Sequence, residues 1–217
     1  MVLKQFKQII IIAMLVLCVI PAIAQVKRAA PVRRAPMSKQ LAEFYHLTAQ
    51  ANVTFTFPKG FREIKAPDDE DFSFDYAMEL PGKDFEIWFR ITPEKEDWTS
   101  YERAQNKPNG QLANPDSSYK GMGAAQSISF TGDNNYFLRI IPQNVLDRYS
   151  ADAGRSYLLT LLDLPETKHY KYALLITLQK NHTGTILAVC FTNEKGPEFF
   201  KNIDKASNCL KFKTQTP

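Results

Sequence analysis

Two runs of alternating apolar residues, separated by a turn, constrain this chain more than anything else in it. Phe72, Phe74, Tyr76 and Met78 occupy every second position, as do Phe85, Ile87, Phe89 and Ile91. Successive side chains of a strand point to opposite faces, so each set reads as one apolar face of a strand. Pro81-Gly82-Lys83 between them is turn chemistry, which makes the pair an antiparallel hairpin. A fold built on this hairpin must cover its apolar face, and 15 Phe and 9 Tyr supply the bulk to do so.

The C-terminal part repeats the pattern, with strands over 170–179 and 185–192 joined by 180–184. Shorter strands are predicted over 53–57, which 58–60 turns, and over 136–140. Ser38 can cap a helix that carries Leu41, Phe44, Tyr45 and Thr48 on one side and ends near Gln50. A second helix over 93–105 places Trp98 and Tyr101 three apart, where they can bury together. Residues 106–118, with Pro108, Gly110 and Pro115, form a loop long enough to be functional. A helix over 119–129 follows, weakened at its start by Gly121 and Gly123. Pro142 opens another that runs to about Tyr149, and Pro197 opens the last. In that last helix Phe199, Phe200, Ile203 and Ala206 face the sheet, with Cys209-Leu210 closing it. Residues 151–167 fit either a strand or a buried helix by periodicity. Hairpins separated by helices, without regular alternation, predict one α+β domain over 40–217 with a single, mainly antiparallel sheet flanked by helices.

The chain begins with Lys4 and Lys7, an apolar run over 9–20, and Ala22-Ile23-Ala24 before Gln25. This is the layout of a secretory signal peptide over 1–24, cleaved after Ala24, and it predicts an exported protein, periplasmic or secreted. The apolar run of 12 residues is short of the roughly 20 that a spanning helix needs, so no integral membrane segment is expected after cleavage. A lipid-modified Cys18 is the competing reading, but Leu17 stands where such a cysteine usually has a small neighbour.

The net charge of +4 conceals an uneven distribution. Without residues 1–24 the chain holds 25 basic and 23 acidic residues. Residues 25–39 contribute Lys27, Arg28, Arg33, Arg34 and Lys39 and no acid, which leaves 20 basic against 23 acidic in the body. A body at −3 is a poor match for nucleic acid, which calls for a clustered basic face. The stretch 25–39, punctuated by Pro31 and Pro36, reads as a basic flexible leader.

Phe55-Thr56-Phe57-Pro58-Lys59-Gly60-Phe61 resembles the F-x-x-P-x-G-aromatic opening of PsbP-like domains. The order of elements that follows, from residue 53 to 212, is similar as well: hairpin, helix, long loop, second hairpin, terminal helix. The chain also resembles small exported proteins of Gram-negative bacteria whose role is unknown. The resemblance implies an α/β/α sandwich and a non-enzymatic accessory or docking role, the usual one in that fold. It carries over no functional residue.

Candidate chemistry is thin. His46, His169 and His182 stand far apart with no Cys or second His at metal-ligand spacing, so neither a metal nor a cofactor is expected. Cys190 sits in an apolar strand, which makes it a poor nucleophile; it is either bonded to Cys209 or one of two free buried thiols. Asp152 and Arg155 interrupt a hydrophobic stretch. They line a binding cleft, or they form a surface pair where Gly154 ends the preceding helix. Ser156 is in no G-x-S-x-G turn. Trp98, Tyr101 and Tyr119 are candidates for an exposed recognition surface, with Tyr119 the first choice. The best-fitting function is an exported, non-enzymatic binding or accessory module of the cell envelope, with an envelope or secreted protein as partner and an oligomeric state the sequence does not fix. The alternatives are a small-ligand carrier with an apolar cavity between sheet and helices, or a hydrolase using dispersed acids such as Asp152 and Glu166.

Overall fold

The two hairpins read from the sequence lie side by side and make the middle of one sheet. The computed structural model describes residues 37–70, 72–107 and 112–214. The expected signal peptide (1–24), the leader as far as residue 36, and residues 108–111 of the loop lie outside these. In chain order the elements are α1 (Lys39–Gln50), β1 (Val53–Phe55), β2 (Arg62–Ile64), β3 (Tyr76–Glu79), β4 (Glu86–Pro93) and α2 (Lys95–Gln105). A short 3-10 turn (Pro115–Ser117) leads into α3 (Ser118–Thr131), then β5 (Phe137–Ile140), α4 (Gln143–Tyr149), β6 (Ala153–Thr160), β7 (Tyr172–Lys180), β8 (Gly184–Thr192), α5 (Pro197–Ala206) and β9 (Leu210–Phe212). The main sheet runs β2-β3-β4-β8-β7-β6-β5, every neighbouring pair antiparallel. β1 and β9 pair separately. The fold is α+β, as the sequence predicts.

Both faces of the sheet are covered. On one, Ile87, Phe89 and Ile91 of β4 with Ile186 and Cys190 of β8 pack beneath α1, α4, α5 and the β1–β9 pair, through Phe44, Leu146, Phe199 and Phe212. On the other, Trp88, Leu187, Val189, Phe191 and Leu175 pack against Phe130 of α3. Burial on both faces explains why β7 and β8 read as nearly continuous apolar runs instead of clean alternation. The aromatic bulk is in contact with itself: Phe44 stacks on Tyr76 at 4.8 Å between ring centroids, and Trp88 lies 4.3 Å from Phe191.

Several local expectations change. The alternation over 72–78 does not stay on one face: Tyr76 and Met78 join the α1 side, whereas Phe72 and Phe74 pack with Trp88 on the α3 side. The cause is Asp75, whose N–H donates to Phe89 O while its carboxylate accepts the Ile91 N–H at 2.6 Å. Residues 75 and 76 therefore both address Phe89, and the parity of the strand shifts there. Burial pushes the Asp75 carboxyl above its usual range, and the Ile91 bond partly offsets this. Residues 153–160 settle as strand. Lys39, counted with the leader by charge, is the first residue of a helix that Ser38 caps through the Leu41 N–H. Phe200 points outward, 49% exposed, and Asn202 is buried in its place.

Gly123 lies on the buried side of α3, where a Cβ would come within 2.7 Å of the Tyr157 ring. The Tyr157 side chain is fully buried and has no room to yield. Gly123→Ala gains up to about 1 kcal/mol of helix propensity but overpacks this contact at a cost of roughly 1–3 kcal/mol. The variant is expected to unfold at lower denaturant concentration than the parent; an increase in stability would mean that α3 can lift away from the sheet.

Candidate functional site

The two edges of the main sheet are treated differently. At the β2 edge, Gln40 of α1 reaches over: its Nε2 donates to Ile64 O at 2.9 Å and its Oε1 accepts the Ala66 N–H at 2.8 Å. Arg62 adds an ion pair to Glu79 across the β2–β3 pair. Side-chain bonding of the free backbone groups, with charge on the strand, protects an edge against pairing.

Among the described residues the β5 edge has no such cover. The Ile141 N–H donates to Gly154 O, and the register pairs Arg139 with Ser156 and Phe137 with Leu158. Hydrogen bonding alternates along an antiparallel strand, so Phe137, Arg139 and Ile141 direct their backbone groups to β6. Leu138 and Ile140 direct theirs outward. All four residues of β5 are exposed, with Phe137 at 56%, Leu138 at 39% and Ile140 at 75%. An apolar trough of about 220 Å³, lined by Arg139, Ile140, Val145, Tyr149 and Ile176 among others, runs beside the strand. The Arg139 guanidinium lies over the Phe137 ring, 4.9 Å from its centroid. Chemically this edge offers backbone donors and acceptors, apolar side chains on both sides and one cation.

The residues singled out in the sequence do not meet at one place. Tyr119 is only 7% exposed, a correction to its expected exposure: it lies in the first turn of α3, whose buried side packs on the sheet. Asp152 is bonded to neither Arg155 nor Gly154's helix end. Its carboxylate holds the β7–β8 hairpin, accepting from Lys180 Nζ at 2.7 Å and the Asn181 N–H at 2.9 Å. Gly154 is not a helix terminus: it stands inside β6 with a would-be Cβ 2.8 Å from Thr177 O, and the preceding helix ends at Ser150 with a positive φ. Arg155 lies in β6, two residues before Tyr157, opposite Ile140. Glu166 is exposed beyond the far end of β6, so a strand roughly 25 Å long separates it from Asp152.

The two thiols are free, buried, and line one apolar cavity of about 60 Å³ between the sheet and α5, with Ile87, Ile186 and Ile203. Burial pushes the Cys209 thiol up to about 12 and the Cys190 thiol higher still. Ligand pockets for organic molecules run to roughly 300–1,000 Å³, so this space is too small for one.

A buried polar network was not legible in the sequence. Glu94, 2% exposed, accepts from Ser118 Oγ, Thr185 Oγ1 and Gln179 Nε2 at 2.6–2.8 Å. Beside it the His182 ring stacks on Trp98 at 3.8 Å and the His182 backbone N–H donates to Asp116 Oδ1 at 2.7 Å. These contacts tie the end of the long loop to the β7–β8 turn, and Glu94 holds the Ser118 hydroxyl. Trp98 and Tyr101 do meet, at 5.2 Å, but α2 buries no residue. Among the described residues no group of three His, Cys, Asp or Glu is placed to hold a metal ion, and no helix is long and apolar enough to cross a membrane.

No protein-family model and no curated protein matches this chain.

The thiols give a pH expectation. Below the ordinary thiol value of about 9 both states hold their protons; above it the unfolded chain releases them and the folded chain does not. Stability is therefore expected to fall as pH rises from about 9 toward 12. At neutral pH a thiol reagent should label Cys190 and Cys209 only after unfolding, as read by peptide mass spectrometry; rapid labelling of the folded protein would contradict the burial.

Proposed function

We propose that the chain is an exported, non-enzymatic docking module of the cell envelope, PsbP-like in fold, that takes an extended segment of a partner protein as an added strand on β5. The observation that carries this reading is the contrast between the edges: Gln40 and Arg62 close one, while the other leaves the outward N–H and C=O groups of Leu138 and Ile140 beside exposed Phe137 and Ile140. An exposed, apolar sheet edge is a liability for a stable protein unless something pairs with it. In strand addition the backbone bonds supply affinity and neighbouring pockets read alternate side chains; the trough beside Val145 and Tyr149 is placed for that second part. The signal-like N-terminus supports the location, and the motif Phe55 to Phe61 supports the PsbP-like fold.

The alternatives have less behind them. The apolar cavity between the sheet and α5, about 60 Å³, is too small for the carrier reading, and Asp152 and Glu166 lie at opposite ends of β6.

Leu138→Pro removes one outward N–H without touching a β5–β6 bond, because proline is tolerated where a strand's N–H faces away from its sheet. Crosslinked pull-down from the native cell envelope, with parent and Leu138→Pro proteins in parallel, is expected to recover a partner that the variant loses by about tenfold or more, equal to one backbone bond with its flanking contact. A partner retained equally by the variant would move the docking surface elsewhere.

A further inference from the structure

We infer that the strand added to β5 is β5 of a second copy of this chain, paired antiparallel about a two-fold axis through Leu138. The inference rests on the docking reading and names its occupant.

Symmetry and hydrogen-bond phase leave few ways to pair β5 with itself. A two-fold axis normal to the sheet keeps each side chain on its own face, so paired residues must have the same parity. Centring on Leu138 sets its outward N–H and C=O against those of its counterpart, a hydrogen-bonded pair with Cα atoms about 5.5 Å apart. Of the next outward groups, the Ile140 N–H of each copy meets Tyr136 C=O of the other. Tyr136 has already given its own N–H to Asn134 O, so each of these outer pairs makes one of its two bonds and leaves the Ile140 C=O to water.

Side chains agree with the same register. Phe137 of one copy falls opposite Arg139 of the other, twice, and the cation-to-ring contact that each copy makes internally at 4.9 Å is then repeated across the axis. Arg139, Ser156 and Ile176 form one row across β5, β6 and β7 and line the trough. Extending that row by one strand brings in the second copy's Phe137, so its exposed ring lands at the trough's mouth. The neighbouring register, centred on Arg139, instead sets two like charges opposite each other at about 4.5 Å between Cα atoms, which disfavours it. A strand this short buries less than the roughly 1,200–2,000 Å² of a standard interface, so the association is weak and depends on concentration.

Sedimentation velocity of the purified protein over a wide concentration range tests the inference, with Leu138→Pro, Leu138→Cys and Phe137→Cys variants. The expected result is a sedimentation coefficient that rises toward the dimer value with concentration in the parent and stays at the monomer value in Leu138→Pro. Under mild oxidation Leu138→Cys should form a disulfide-linked dimer several-fold faster than Phe137→Cys, because only residue 138 meets itself. A parent that stays monomeric throughout, a dimer that survives Leu138→Pro, or equal crosslinking of the two cysteine variants overturns self-pairing. The two readings separate cleanly: a monomer that still captures an envelope protein through β5 sinks the second copy and leaves the docking edge, whereas a monomer with no edge-dependent partner sinks both.

Discussion

Backbone hydrogen bonding organises everything else in this molecule. Every strand carries donors and acceptors that must be paired or hydrated, and a sheet resolves this for its inner strands while leaving two edges. Here helices and the β1–β9 pair cover the faces so completely that β4, β7 and β8 are apolar on both sides. The faces are therefore spent on stability, and the two edges are where strand backbone groups still need partners. Gln40 closes one edge with two bonds from a single amide side chain. Among the described residues nothing covers the other, whose apolar residues are exposed.

The buried polar groups serve the same architecture. Glu94 gathers hydroxyls from α3 and β8 and an amide from β7, so it locks the crossover from β4 to α3 onto the hairpin it passes. Asp152 does the same for the opposite entry, tying the start of β6 to Lys180 and Asn181. Carboxylates of this kind draw attention in a sequence as possible chemistry, yet each is already engaged by local donors. The thiols of Cys190 and Cys209 follow the same logic, since burial holds them protonated and inert.

Turn chemistry and apolar runs of strand length carried the sequence reading in the two hairpins, each closed by a short turn, and in 136–140. It failed where the backbone shifts parity. Nothing in Phe72 to Met78 announces that Asp75 will bond both Phe89 and Ile91 and turn Phe72 and Phe74 to the other face. Three-residue strands such as β2 and β9 are too short for a period, and they form only because a partner strand is already in place. Gly123 reads as a weak helix position until Tyr157 is seen against it. Tyr119 was misplaced because residue type cannot tell the buried side of α3 from its exposed side without knowing where the sheet lies. The open edge was half legible: the strand was evident, but its neighbours in the sheet, and hence its exposure, depend on strand order.

Residue-resolved amide hydrogen exchange along β5, compared between dilute protein and protein holding its bound strand, addresses the open edge most directly. The account requires Arg139 and Ile141 to be protected in both states, and Leu138 and Ile140 to exchange freely in the dilute protein and become protected on binding. Protection of Leu138 and Ile140 already present in the dilute protein would show that another part of the chain closes the edge, and would contradict the account.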